Sequence, residues 1–432
     1  ANNLIPLEET FEEFDITEED ERQIKELAAD PRVLEKFTES IAPSVYGYEE
    51  IKQSLVLQLF GGVKKVRGDG THSRGDIHVL LVGDPGVAKS VTLKFISTIA
   101  PKGRYIAGKG ASGAGITATV VRDEFLRGWS LEAGSMVLSN KGILCIDELE
   151  KMDPNERSAM HESLEQQTVT ISKANIHATL RAETSVLAAA NPKFGRFNPY
   201  DTIASQIDIP PTLINRFDVI FILKDSPDKF RDEAIATHVL LEHKNPNTKT
   251  AIERELFRKY IAYAKQKIRP ELTDEAITEI KKFYVDLRNT PVSIDQPTKP
   301  LPISARQLEA LVRLSEANAK MRLNRKVTRE DAMIAINMMK YYLMQVGYDY
   351  ETKTFDIDRI ATGVSTSQRS KIMLVRETLS RLESRLGKLI PVEELKKELE
   401  GKLTEKDIDD AIEKLNMSGD IFKPRRGFLQ RL

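Results

Sequence analysis

The chain has 432 residues, with 64 Lys+Arg against 65 Asp+Glu and a formal net charge of −1. That balance excludes a protein that coats nucleic acid by bulk positive charge, while leaving local basic patches open. A single cysteine, Cys145, excludes an internal disulfide and a multi-cysteine zinc site.

At roughly 150 residues per domain the length suggests about three domains. Residues 1–24 carry nine acidic side chains against Arg22, which reads as a solvated tail or linker. Residues 17–42 read as helix, split at Pro31, with Thr17 as N-cap, and residues 48–60 as a second helical stretch. Short apolar runs at 77–82, 142–146, 185–190 and 219–223 alternate with helical patterns at 91–99 and 155–167. That alternation predicts a parallel sheet covered on both faces. From about residue 230 the strand signal stops, and residues 231–243, 252–267, 273–288, 304–322 and 328–345 read as helices. Residues 346–368 are polar and aperiodic. The last stretch reads as helices over about 369–386, 391–400 and 404–417, then a hairpin over 420–429, which suggests a winged-helix unit. The expected division is an acidic linker at 1–16, an α/β core at 17–230, a helical lid at 231–346, a linker at 347–368 and a winged helix at 369–432. No run of residues approaches the roughly 20 apolar positions of a membrane span, so no membrane partner is expected.

The chemistry concentrates at the strand ends. Gly83-Asp84-Pro85-Gly86-Val87-Ala88-Lys89-Ser90 lies between a strand and a helix. Glycines let backbone N–H groups approach phosphates, and the helix offers its positive N-terminus. Lys89 would reach the β- and γ-phosphates of ATP and Ser90 would ligate Mg²⁺. Ala88 stands where the general pattern has Gly; the departure matters little if that position has helical dihedrals. A chance Lys-Ser after a turn is the bland alternative, and the flanking strand and helix weigh against it. The strand 142–146 leads into Asp147 and Glu148. Asp147 would hold the metal through water and Glu148 would orient and deprotonate the attacking water. Asn191 ends the next strand, where an amide would position water or simply make a turn. The six histidines form no metal-ligand pattern.

These stretches resemble the AAA+ ATPases, and more specifically the minichromosome maintenance (MCM) replicative helicases of the archaeal homohexameric type. The resemblance rests on the phosphate loop, on Ile146-Asp147-Glu148-Leu149-Glu150-Lys151-Met152, on Ala190-Asn191-Pro192-Lys193-Phe194-Gly195-Arg196 and on Leu213-Ile214-Asn215-Arg216-Phe217-Asp218. It runs from about residue 17 to 346, and more weakly beyond. It implies an α/β AAA+ P-loop ATPase with a parallel sheet core, a helical lid and a C-terminal winged helix. By the same resemblance Arg216 is the arginine finger that reaches a neighbouring subunit's ATP, and Arg306 is the second sensor, also acting across the interface. For any single Arg a surface ion pair is the commoner reading. Val45 and Tyr46 match the family's stretch near the adenine; a core Tyr46 is the other reading. Residues 104–121, with Lys109, resemble the helix-2 insert hairpin of the central channel. Residues 168–180 alternate like a hairpin with Lys173 at its turn, and resemble the pre-sensor-1 hairpin whose Lys contacts the DNA backbone. Each of the two segments also reads as a solvated surface loop or tip. In a ring, six copies of one Lys line one pore, which reconciles DNA binding with a net charge of −1.

The family therefore implies an ATP-driven, cytoplasmic, nucleoid-associated archaeal helicase motor that acts on single-stranded and forked DNA as a homo-hexamer. The alternative is an AAA+ remodeller or loader that uses ATP for assembly. Lys423, Arg425 and Arg426 mark the wing, but residues 366–432 hold only 15 Lys+Arg against 12 Asp+Glu. That weak balance favours docking of replication proteins over duplex binding. Full-length relatives carry an N-terminal DNA-binding domain, usually with a cysteine zinc site, so the chain reads as the motor half of a longer protein.

Overall fold

A computed structural model describes residues 16–108, 115–123, 128–173, 176–193, 195–197, 206–244, 250–289, 303–346, 348–349, 354–355, 371, 374–376, 378–379, 381–383, 385, 390–399, 403, 405–417, 421–425 and 428–431. The chain divides into two compact units, residues 1–287 with 303–346 and residues 288–302 with 347–432.

The first unit is organised by five strands: β1 (Val79–Gly83), β2 (Gly103–Ala107), β3 (Ile143–Asp147), β4 (Ser185–Ala190) and β5 (Val219–Leu223). They lie in the order β5-β1-β4-β3-β2, and every pairing is parallel. All residues of β1, β3, β4 and β5 are buried, which is why these four read as near-continuous apolar runs. Edge strand β2 has no fully buried residue and carries no such run. This corrects the reading of residues 104–121 as one insert hairpin. Their first part completes the core sheet. The antiparallel hairpin comes later, between Ala118–Asp123 and Gly128–Ala133. Lys109 lies outside the described residues.

Helices cover the sheet. The helix Glu18–Ala28 starts at a capping box, in which the Thr17 hydroxyl accepts from Asp20 N and the Asp20 carboxylate accepts from Thr17 N. Pro31 separates it from Val33–Ser40. An aromatic cluster ties these helices to the lid: the Phe37 ring lies 5.4 Å from Phe60, 4.7 Å from Phe257 and 4.9 Å from Tyr260. Five long helices follow β5: Lys229–Lys244, Arg254–Lys267, Asp274–Arg288, Ala305–Met321 and Arg329–Val346. Strand Thr168–Lys173 pairs antiparallel with Ile176–Arg181, and Lys173 is the register partner of Ile176. None of the described helices is long and apolar enough to cross a membrane.

The second unit has helical residues between 371 and 385, helices Val392–Glu398 and Glu405–Met417, and a three-stranded antiparallel sheet. The middle strand of that sheet, Phe428–Arg431, pairs with Ile421–Arg425 on one side and with the two residues Ile390–Pro391 on the other. Val375, Leu379, Leu395, Ile412 and Leu429 form part of its core. The side chains of Lys423 and Arg425, and all of Arg426, lie outside the described residues. The stretch expected as an aperiodic linker contains a short pairing of Tyr348–Asp349 with Thr354–Phe355.

Candidate active site

In a parallel sheet the loops that follow the strands all emerge at one edge, where ligands bind. The phosphate loop follows β1, Asn191 follows β4, and Asp147 with Glu148 ends β3, on three consecutive strands. The structure therefore brings together Lys89, Asn191, Asp147 and Glu148.

The phosphate loop leads into helix Lys89–Ile99, whose N-terminus has no side-chain cap. Its first N–H groups have no intrahelical partners and are available to an anion. Gly86 has a φ of +88° and open space where a Cβ would lie. The N-cap Ala88 is left-handed, with φ 60° and ψ 20°. That corrects the expectation of harmless helical dihedrals, because an L-residue is strained there. Lys89 is buried, and its Nζ donates to the carbonyls of Gly83 and Asp84, both at 2.7 Å. Burial lowers its pKa, and the charges of Asp147, Glu150 and Asp84 oppose that shift. Ser90 is exposed in the first turn. The Asp84 carboxylate is committed to the loop's own support: it accepts from Phe197 N at 2.8 Å and Asp225 N at 2.9 Å. Pro85 is exposed and Val87 buried.

Asp147 is buried, with Oδ2 accepting from the Tyr105 hydroxyl at 2.8 Å and Oδ1 from Glu148 N at 3.0 Å. Burial, then this carboxylate, raise the Tyr105 phenol's pKa, so the phenol stays a donor. Glu148 sits left-handed at φ 53° and receives Lys151 Nζ at 2.5 Å. Glu150 grips Asn191 twice, accepting from its Nδ2 at 2.9 Å and its backbone N at 3.2 Å. The Asn191 amide nitrogen is thereby fixed on Glu150. These donors fit a nucleotide triphosphate with a divalent ion: unpaired helix N–H groups and a lysine for phosphates, a hydroxyl and a buried carboxylate for an octahedral metal.

Tyr46 is 44% exposed, so it is not a core residue, while Val45 is buried. The Tyr46 ring lies 5.6 Å from His238, which donates through Nε2 to the Pro43 carbonyl at 2.9 Å.

Arg216 and Arg306 are elsewhere. Arg216 precedes β5, so it lies at the amino edge of the sheet. The strand between the edges spans about 16 Å at roughly 3.3 Å per residue, more than an arginine side chain reaches. Arg216 Nη1 donates to the His161 carbonyl at 2.8 Å and pairs with Glu165; its Nε is buried without a hydrogen-bond partner among the described residues. Arg306 joins the same carboxylate at 3.1 Å and donates to the Asn215 carbonyl at 3.3 Å. The two arginines expected to work together thus share Glu165, in a cleft of about 230 Å³. Tyr105, Glu150, Glu165 and His238 received no role from the sequence. Glu150 stands inside a motif that was read, but its partnership with Asn191 depends on neighbouring strands.

Comparison with known proteins settles the family. The MCM P-loop domain matches residues 20–243 and the MCM AAA-lid domain matches residues 255–343. This chain belongs to the MCM family. It is 48% identical over 375 residues to the minichromosome maintenance protein MCM of Saccharolobus solfataricus, covering 87% of this chain and 54% of that protein. It is 39% identical to the DNA replication licensing factor MCM4 of Arabidopsis thaliana, covering 89% of this chain and 47% of that one. The chain thus spans about half the length of the relatives it matches. The P-loop and lid of this MCM chain account for the α/β AAA+ architecture around the parallel sheet.

Proposed function

We propose that this chain is the ATP-driven motor of a DNA helicase, working as a homo-hexameric ring that translocates on single-stranded DNA and unwinds forked duplex. ATP and Mg²⁺ would sit at the carboxyl edge of the sheet: Gly83 to Ser90 around the phosphates, Ser90 and Asp147 on the metal, and Val45 and Tyr46, with His238, at the base. Bound there, the nucleotide supplies the phosphoanhydride to be hydrolysed. Glu148 takes the proton of the attacking water and Asn191 orients that water. Arg216 and Arg306 stabilise transition-state charge on a neighbour's nucleotide. Lys173 and Lys109 would contact the DNA backbone in the pore. Residues 17–230 would form the ATPase core, 231–346 its lid, and 369–432 a winged helix that docks replication proteins. The helices and small antiparallel sheet of the second unit support that last reading.

One observation carries the proposal: Lys89, Asp147, Glu148 and Asn191 lie at one edge of the parallel sheet while Arg216 and its companion lie at the other. A single chain cannot complete its own site, so hydrolysis requires a second copy. Lys89→Ala and Arg216→Ala proteins should each be inactive, and mixing them should restore part of the ATPase activity. Absence of any recovery would refute composite sites. Lys173→Ala should keep ATPase and lose strand displacement. A chain that hydrolyses ATP but displaces no strand is a loader instead.

A further inference from the structure

One carboxylate is buried behind the arginine face. Asp218 is only 4% exposed. Its Oδ1 accepts from Arg313 at 2.5 Å and Arg74 at 3.1 Å, and its Oδ2 from Arg74 at 2.9 Å and His78 N at 2.8 Å. Arg74 also donates to the backbone carbonyl of Arg216 at 3.3 Å. The carboxyl is held ionised by the Arg313 and Arg74 charges against a large burial penalty. A buried charge cluster is poor support for stability, because apolar side chains of similar volume do as well. It does fix geometry.

The cluster joins the two segments that carry Arg216 and Arg306. Arg216 lies two residues before Asp218. Arg306 and Arg313 lie on one helix, Ala305–Met321, seven residues apart. That is about two turns, so they share a face. Outside, Glu165 bridges Arg216 to Arg306; inside, Asp218 bridges the Arg216 segment to Arg313. Core and lid are tied at both ends of the arginine pair.

We propose that Asp218 is a positioning residue: through Arg74 and Arg313 it sets the spacing and aim of Arg216 and Arg306 toward a neighbouring subunit's nucleotide. The inference rests on the proposal that these arginines act across the interface. Errors of about 1 Å in such groups cost up to about 100-fold in rate. The effect should therefore fall on kcat, and on the arginine half of each composite site alone.

The test uses the full chain. Arg313→Gln leaves a charge-matched Asp218–Arg74 pair inside the fold. Asp218→Asn is the stronger variant and the one more prone to misfold. Each folded variant, judged by its thermal transition, should lose at least about 10-fold in kcat. Binding of a fluorescent ATP analogue at its own phosphate loop should stay within about twofold. Mixing either variant with Lys89→Ala should restore activity as the Arg216→Ala mixture does. Adding Arg216→Ala to Arg313→Gln should lower kcat no further than Arg216→Ala alone. A folded Arg313→Gln with parental kcat overturns the inference. So does a variant that loses nucleotide binding in step with kcat, or one that fails to recover with Lys89→Ala while Arg216→Ala does. If the Arg216→Ala mixture itself fails to recover, the interface reading falls and this inference falls with it.

Discussion

Ala88 and His78 each hold a conformation or protonation state that the rest of the fold imposes. Ala88 is left-handed at φ 60° where the phosphate loop turns into its helix. An L-residue is strained there by about 1–2 kcal/mol. Ala88→Gly should therefore stabilise the chain by about 1 kcal/mol, seen as a higher denaturant midpoint; a lower midpoint would show that the strain is not felt. His78 is fully buried among Arg74, Asp218 and Arg313. Its Nε2 donates to the Leu164 carbonyl at 3.1 Å, and its Nδ1 accepts the Val186 N–H, also at 3.1 Å. A second proton would remove that acceptor, so burial, then the Arg74 charge, lower the pKa well below the ordinary histidine value. A depressed pKa means that the unfolded chain binds the extra proton first. The stabilisation is complete above the unfolded pKa of about 6.5 and shrinks as pH falls below it, by up to about 1.4 kcal/mol per pH unit. The thermal midpoint should drop between pH 7.5 and 5.5, and a folded His78→Gln protein should show a shallower drop over that range.

Among elements, the helix Ala305–Met321 matters most to the arginine face, and its start is locally encoded. Ser304 Oγ accepts from Arg306 N at 3.3 Å, while Gln307 accepts from Ser304 N at 3.1 Å. This capping box fixes the first turn, which carries Arg306. Ser304→Ala should cost about 1 kcal/mol in denaturation and lower kcat by loosening Arg306; an unchanged midpoint would argue against the cap. Four of the five core strands were legible because both faces are buried and each carries a near-continuous apolar run, broken only by Ser185 at the start of β4 and Asp147 at the end of β3. Strand β2 was not, because a half-exposed edge strand, Gly103-Arg104-Tyr105-Ile106-Ala107, carries no continuous apolar run. It supplies Tyr105, the hydrogen-bond partner of Asp147, so that contact was hidden as well.

For the whole molecule, the one cysteine is a reporter. Cys145 is fully buried in β3, between neighbours β4 and β2, and burial pushes its thiol pKa up. Thiol reagents should label the native chain at least about 100-fold more slowly than the denatured one, since the thiolate forms only when the sheet opens. Fast native labelling would mean that the sheet opens locally. The sequence by itself determined the phosphate-loop motif, the two acids at the end of β3 and the apolar strands, because each is a contiguous run that shows in the local pattern. Tertiary structure alone decided the partnerships: Glu150 with Asn191, Glu165 with two arginines, Asp218 with Arg74 and Arg313. Most of these pairs are far apart in sequence, and a carboxylate's partner is fixed by which strands and helices the sheet order brings alongside it, not by its neighbours along the chain. Because neighbouring strands β1 and β5 run parallel, the phosphate loop, which follows β1, and Arg216, which precedes β5, lie at opposite edges of the sheet, the separation on which the proposal of a second copy rests.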